Sequence, residues 1–387
     1  MHGQTGSASL VPPVLALADA HLHAALAQTW PPFVLVAGLL SIGLVAGRDG
    51  LFDAAASRLA RLPGPPVALL LACFALVVTV TALLNLDTSA VFLTPVLVKV
   101  ARRRGVDVSP FLYGSVFVAN ASSLFLPGSN LTNLLVLSGG QLSGGAFFTR
   151  MLPMALAAPL LTIGGLVAIH RSRLFVADRA SSRAEASSRA EAGSRAEEQP
   201  ANALSAPPRL GLGLSGSLIA AGTIVALRNP ALPVFALGLI LVAWRVRGGE
   251  LSWREVLSWL GAPVLMGLFG VSVLLGVLAR ASAFPAGVLH SAGSLSTAAV
   301  AAGASVLVNN LPAAVLLSSR PPVHASALLV GLNVGPNLAV TGSLSALLWW
   351  RAARAVGARP SVSFYSRQGL LLAPIAIVGA LAVGGQL

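Results

Sequence analysis

Asn85-Leu86-Asp87-Thr88-Ser89-Ala90-Val91, followed by Leu126-Pro127-Gly128-Ser129-Asn130-Leu131-Thr132-Asn133, is a polar pattern set inside apolar sequence, and it returns later in the chain. The second copy reads Asn309-Asn310-Leu311-Pro312-Ala313-Ala314-Val315, then Gly335-Pro336-Asn337 and Thr341-Gly342-Ser343. Amides, hydroxyls, Gly and Pro in the middle of membrane-length apolar stretches are costly in lipid. They persist where backbone is broken to line a cavity. Two such pairs, one in each half of the chain, form the pattern of a transporter built from internal repeats.

Composition agrees. The 387 residues are 56% hydrophobic and 10% charged, with a mean hydropathy of +0.83. A soluble domain carries roughly 25% charged residues. The expectation is an all-α polytopic membrane protein. A β-barrel is disfavoured because the apolar runs are continuous rather than alternating. The net charge of +13 reads as basic cytoplasmic loops, not as a nucleic-acid interface. The single cysteine, Cys73, lies in an apolar run, so neither a disulfide framework nor a cysteine metal site is expected. The six His show no helical metal spacing, and no metal or cofactor is expected. Residues 1–9 are polar and lack a basic region, so no signal peptide is expected.

Hydrophilic sequence at 170–209 divides the chain. It carries a hexad repeat, Ser181-Ser182-Arg183-Ala184-Glu185-Ala186 and its two successors, and reads as a flexible linker. Four regions follow: an N-terminal extension (1–30), an N-terminal transport repeat (31–169), the linker (170–209) and a C-terminal transport repeat (210–387). Gly47-Arg48 through Phe52 aligns with Ala279-Arg280 through Phe284, Asn85 to Val91 with Asn309 to Val315, and Gly128-Ser129 with Gly342-Ser343. The N-terminal repeat has no equivalent of the apolar spans at 210–227 and 231–244, so it lacks an opening helix pair, unless 10–27 is a remnant of one.

Basic residues cluster around Arg48 to Arg61, Lys99 to Arg104, Arg171 to Arg209, Arg245 to Arg254 and Arg351 to Arg359. If Asn85 and Asn309 are tips of re-entrant hairpins, one orientation places every cluster in the cytoplasm. The first hairpin then enters from the cytoplasm and the second from outside, as two inverted repeats require, each with a hairpin and a broken transmembrane helix.

Among twelve acidic residues, Asp87 alone is central to an apolar segment. A carboxylate at membrane depth is a functional candidate by default, although a helix cap would also use it. It could carry a proton, or stay ionised beside a bound cation. Asn85, Thr88 and Ser89 share its tip, and Asn309 and Asn310 occupy the other. Pro127 and Gly128 break a helix, after which Ser129, Asn130, Thr132 and Asn133 offer polar groups to a cavity. Asn337, Thr341 and Ser343 repeat that grammar. Arg48 and Arg280 match across the halves and read as snorkelling residues at helix ends.

Asn85 through Pro95 resembles the hairpin of arsenite/antimonite permeases, a family of the ion transporter superfamily. Ala121 through Asn133 is similar to their first broken helix. Asn309 to Pro312 and Gly335-Pro336-Asn337 through Trp349 resemble the second-half elements. The resemblance implies a secondary transporter of the inner membrane, with the central linker cytoplasmic, that exports arsenite or antimonite as the neutral hydroxide in a proton-coupled reaction. The implied partners are the bilayer, a small inorganic or organic solute and a coupling proton or sodium ion. A homodimer and an optional soluble ATPase are compatible with it. The alternative in the superfamily is a sodium-coupled dicarboxylate- or sulfate-like symporter, or a sodium/proton antiporter. Neither tip keeps the Ser-Asn-Thr of the dicarboxylate symporters. A membrane-embedded enzyme would need His or acidic partners at membrane depth, and Asp87 has none in the sequence pattern, so no enzymatic activity is expected.

Overall fold

The computed structural model describes residues 11–137, 143–174, 211–282 and 284–387. Among these residues all regular structure is helical. The first half runs α1 (Val11–Arg48), α2 (Leu51–Ala60), α3 (Pro66–Leu83), α4 (Leu86–Arg103), α5 (Val108–Ser122), a 3-10 turn at Pro127–Ser129, α6 (Leu131–Leu137) and α7 (Gly144–Ile169). The second runs α8 (Leu212–Ala226), α9 (Ala231–Arg247), α10 (Trp253–Trp259), α11 (Ala262–Ala281), α12 (Phe284–Ser291), α13 (Ser294–Val308) and α14 (Asn310–Leu317). It ends with α15 (Ala325–Val334), 3-10 turns at Gly335–Leu338 and Val340–Gly342, α16 (Leu344–Ala355) and α17 (Val362–Val383). Five of these helices are long and apolar enough to cross a membrane: residues Leu17–Arg48 of α1, together with α3, α7, α11 and α17. The protein is an all-α polytopic membrane protein.

Local chemistry sets the helix ends. Asp107 accepts from the Ser109 amide at 2.8 Å and starts α5. Ser143 caps α7 and Ser361 caps α17. Ser252 and Glu255 form a reciprocal capping box at α10. The Ser252 amide and hydroxyl, and then Arg48, hold the Glu255 carboxyl below the usual carboxylate range. Gly261, at φ 59°, splits the apolar run 256–279 into the end of α10 and α11.

One expectation changes at the N-terminus. Residues 10–27 do not form a separate remnant pair: α1 is continuous from Val11 and passes through Pro31 and Pro32. The expected boundary at residue 30/31 therefore falls inside a helix. Interior prolines are tolerated in such a helix where neighbouring helices satisfy the freed backbone groups. Most of the expected linker, 175–209, lies outside the described residues.

The element order from α1 to α7 recurs from α11 to α17, and so does the packing. The second hairpin arm of the first half, α4, packs on α16, which follows the second break; conversely α14 packs on α6, which follows the first break. Helices α7 and α17 pack on each other, and α1 packs on α11. The opening pair α8 and α9 has no counterpart among the described residues of the first half, and both members lie against α1. Arg48 at the end of α1 bonds the Glu250 carbonyl at 3.2 Å and Glu255 at 3.4 Å. Arg280 at the end of α11 donates to Gln28 of α1 at 2.6 Å. Both matched arginines thus bond protein groups. The Asp49 side chain is 4% exposed, is paired with Arg245, and accepts from the Gly213 amide at 2.7 Å.

Lipid tails are as apolar as leucine, so helices in a membrane associate through close packing and small residues. Helix α13 is rich in Ala and Ser and buries Ala298, Ala301 and Ala302 against α15. The tightest approach is at Gly369 of α17, where a β-carbon would lie 1.7 Å from the Asn337 carbonyl oxygen. Replacing Gly369 by Ala should lower stability by about 1–3 kcal/mol through forced backbone displacement. Gly267→Ala, which meets nothing within 4 Å, should be neutral. Thermal denaturation of the two variants in detergent checks the contrast.

Candidate functional site

The two tips are built alike but finished differently. Asn85 separates α3 from α4, and its side chain accepts from the Thr88 amide at 2.6 Å. Asn309 separates α13 from α14 and accepts from the Leu311 amide at 3.3 Å. Asn85 is extended, with φ −171°. Asn309 has φ 74° and ψ 148°, the one positive φ outside glycine among the described residues. That region costs a side-chain-bearing residue of order 1–3 kcal/mol. Asn309 also donates to the Thr341 carbonyl at 3.3 Å, which helps hold it there.

Each tip is tied to the break in its own half by a hydroxyl-to-carbonyl bond. Ser129 donates to the carbonyl of Ala82 at 3.2 Å, and Thr341 donates to the carbonyl of Val306 at 3.2 Å. Each acceptor lies three residues before its tip asparagine. Ser129 also accepts from the Leu126 amide, and Ser343 caps α16 through the Ala346 amide at 3.1 Å.

The two breaks are joined to each other by a buried amide network. Asn333 of α15 is its hub. Its Oδ1 accepts from Asn130 at 2.7 Å and from Ser123 at 2.5 Å, with Thr132 farther off at 3.5 Å. Its Nδ2 donates to Asn133 at 2.9 Å and to the Leu329 carbonyl at 2.8 Å. Asn133 in turn donates to the Ser123 and Leu126 carbonyls. Asn120 donates to Asn337 at 2.7 Å, and Asn337 donates to the Phe117 carbonyl at 3.2 Å. Asn130, Thr132, Asn133 and Asn337, all expected to face a solute, are thus buried and bonded to other protein groups. They complete the backbone of the breaks. Asn120, Ser123 and Asn333 were not among the expected residues. Asn333 lies one helical turn before Asn337, a spacing that sets both amides on one face.

At the first tip polar groups remain unmatched. Asp87, partly buried, has one hydrogen bond among the described residues, received at Oδ1 from the Ser345 hydroxyl at 2.7 Å. Ser345 lies in the first turn of α16, so the carboxylate faces the positive end of that helix. Asn85 Nδ2, Thr88 Oγ1 and Ser89 Oγ are buried without a partner. Thr88 packs on Gly43 of α1, where a β-carbon would lie 2.7 Å from its methyl group, so its hydroxyl serves helix packing. Asn85, Asp87 and Ser89 are the groups with unused capacity. Buried polar groups without partners cost about 1–3 kcal/mol each, and Asn85, Thr88 and Ser89 are three such groups on one tip among the described residues. At the second tip Asn310 is buried at the start of α14, beside Leu311 where the first tip has Asp87. No Lys or Arg hydrogen-bonds any expected site residue among the described residues, and no group of three His, Cys, Asp or Glu there could hold a metal ion.

This arrangement of paired tips and breaks has relatives. The family described as "Citrate transporter" matches residues 5–341. The chain belongs to that family. The "Arsenical pump membrane protein" of Yersinia enterocolitica is 24% identical over 388 residues, covering 92% of this chain and 87% of that protein. Its namesake in Escherichia coli K12 is 25% identical over 390 residues with the same coverage. An uncharacterized transporter of Mycobacterium tuberculosis is 22% identical over 405 residues, 96% of this chain and 90% of its own. The resemblance to arsenite permeases holds over nearly the whole chain, and the protein is a multi-pass membrane transporter.

Replacing Asn333 with Ala removes one partner each from Asn130 Nδ2, Asn133 Oδ1 and the Ser123 hydroxyl and should cost about 1–3 kcal/mol for each group left unpaired. Asn309→Gly should keep or raise stability, whereas Asn309→Ala should lower it, because only glycine adopts that backbone freely. Denaturation midpoints of the purified variants decide both.

Proposed function

We propose that the protein exports arsenite or antimonite across the inner membrane as the neutral hydroxide, coupled to protons, with the linker cytoplasmic and the two repeats of inverted sense. The observation that carries this reading is Asp87: one carboxylate, held by Ser345 of the other half, on a tip whose Asn85 amide and Ser89 hydroxyl have no protein partner. A neutral polyol needs donors and acceptors without a fixed countercharge, which this tip offers. Proton binding at Asp87 would remove its charge and weaken its hold on α16, linking a titration to the contact between the halves. The names of the relatives support the cargo. Neither a bound cofactor nor a soluble ATPase is needed for this scheme.

The description of the family favours a second reading, a sodium-coupled carrier of an anion such as citrate, or a sodium/proton antiporter. An anionic substrate would meet the Asp87 carboxylate with no guanidinium or ammonium bonded nearby, and like charges repel in a low-dielectric site.

Expression in an arsenite-sensitive host should restore resistance. Asp87→Asn should abolish it, and Ser345→Ala should reduce it while leaving membrane expression intact. In proteoliposomes, arsenite flux should follow a pH gradient and ignore sodium. Sodium-driven citrate uptake without arsenite flux would replace the first reading with the second.

A further inference from the structure

A cleft of about 600 Å³ lies away from both tips, between α1, the first break and the loop joining α8 to α9. Its volume suits a small organic ligand. Its walls are apolar, formed among others by Pro31, Leu35, Pro127, Leu134 and Ile224. Among the described residues, the polar side chains on it are Trp30, Arg228 and Asn229. An inorganic solute would find few partners on such walls, so the cleft is not a branch of the transport site.

The rim points to the occupant. Trp30 is 42% exposed, Leu227 43% and Leu232 59%, so the apolar wall runs out onto a surface made for lipid. Arg228 is exposed and forms no ion pair or hydrogen bond among the described residues. No acidic residue occurs in the sequence between Glu198 and Glu250. Helix α9 has 17 residues, about 25 Å at 1.5 Å each, so Arg228, just before its start, is separated by that length from Arg245 and Arg247 at its end. It is an isolated cation on the same rim as Trp30, above an apolar cleft, where a headgroup would lie. Trp and Arg at that depth fit a phosphate and its interface, and the cleft fits a chain.

We infer that this cleft binds an anionic phospholipid, with its phosphate on Arg228 and Trp30 and an acyl chain between α1 and the first break. Because Pro127 forms part of the wall, the bound lipid braces the break from the side remote from the amide network.

Native mass spectrometry of the purified protein with phosphatidylglycerol and phosphatidylcholine of identical chains tests this, alongside thermal shifts with inorganic phosphate. One basic contact near a membrane surface predicts about a fivefold preference for phosphatidylglycerol. Arg228→Gln should abolish the preference without affecting phosphatidylcholine. Ala27→Trp, at an exposed cleft position, should weaken binding of both lipids. Equal affinities in the unaltered protein, a preference that survives Arg228→Gln, or a stabilisation by inorganic phosphate equal to that by the lipid would each overturn the inference.

Discussion

A helix interrupted inside a bilayer frees amide and carbonyl groups where no water can reach them, and every feature of this molecule's centre answers that constraint. Asn333 is the main answer. One side chain receives hydrogen bonds from the first break and donates to it, while remaining anchored in its own helix. Asn120 and Asn337 form a second crossing. The breaks are therefore not loose joints. Each is completed by amides from the other half, so the halves must assemble together for either break to be satisfied.

Against that shared support, the tips differ. A hydroxyl-to-carbonyl bond joins break to tip in both halves, Ser129 to Ala82 and Thr341 to Val306. Beyond it, the first tip carries a carboxylate and unmatched polar atoms, and the second carries Leu311 and a backbone held at positive φ. Unpartnered polar atoms and backbone strain lie on different tips of one architecture. A titration at the first and a conformational preference at the second would then be separately tunable.

Much of this was legible in the sequence because lipid punishes polar residues so heavily. Asn85, Asp87 and Asn309 stood out for that reason, and the paired helices and turns are where those residues placed them. What could not be read was which polar groups are consumed by the protein itself. Asn130, Asn133 and Asn337 look like ligands in a one-dimensional chain, but their partners lie about 200 residues away or more. Asn120, Ser123 and Ser345 were passed over because one amide or hydroxyl in an apolar run usually bonds its own turn. The continuity of α1 through Pro31 and Pro32 was hidden because proline reads as a breaker unless neighbouring helices are known.

Helix α1 carries one more consequence. It belongs by order to the first half, yet it is the surface on which the second half's opening pair rests, and its Gln28 receives Arg280 while its Arg48 reaches Glu255. The unit of sequence repetition and the unit of mechanical support do not coincide. Splitting the chain at its hydrophilic middle would separate two similar halves, but it would strip the second of its buttress and leave the first without the helices that clad it. The chain cannot be divided there into two self-sufficient halves.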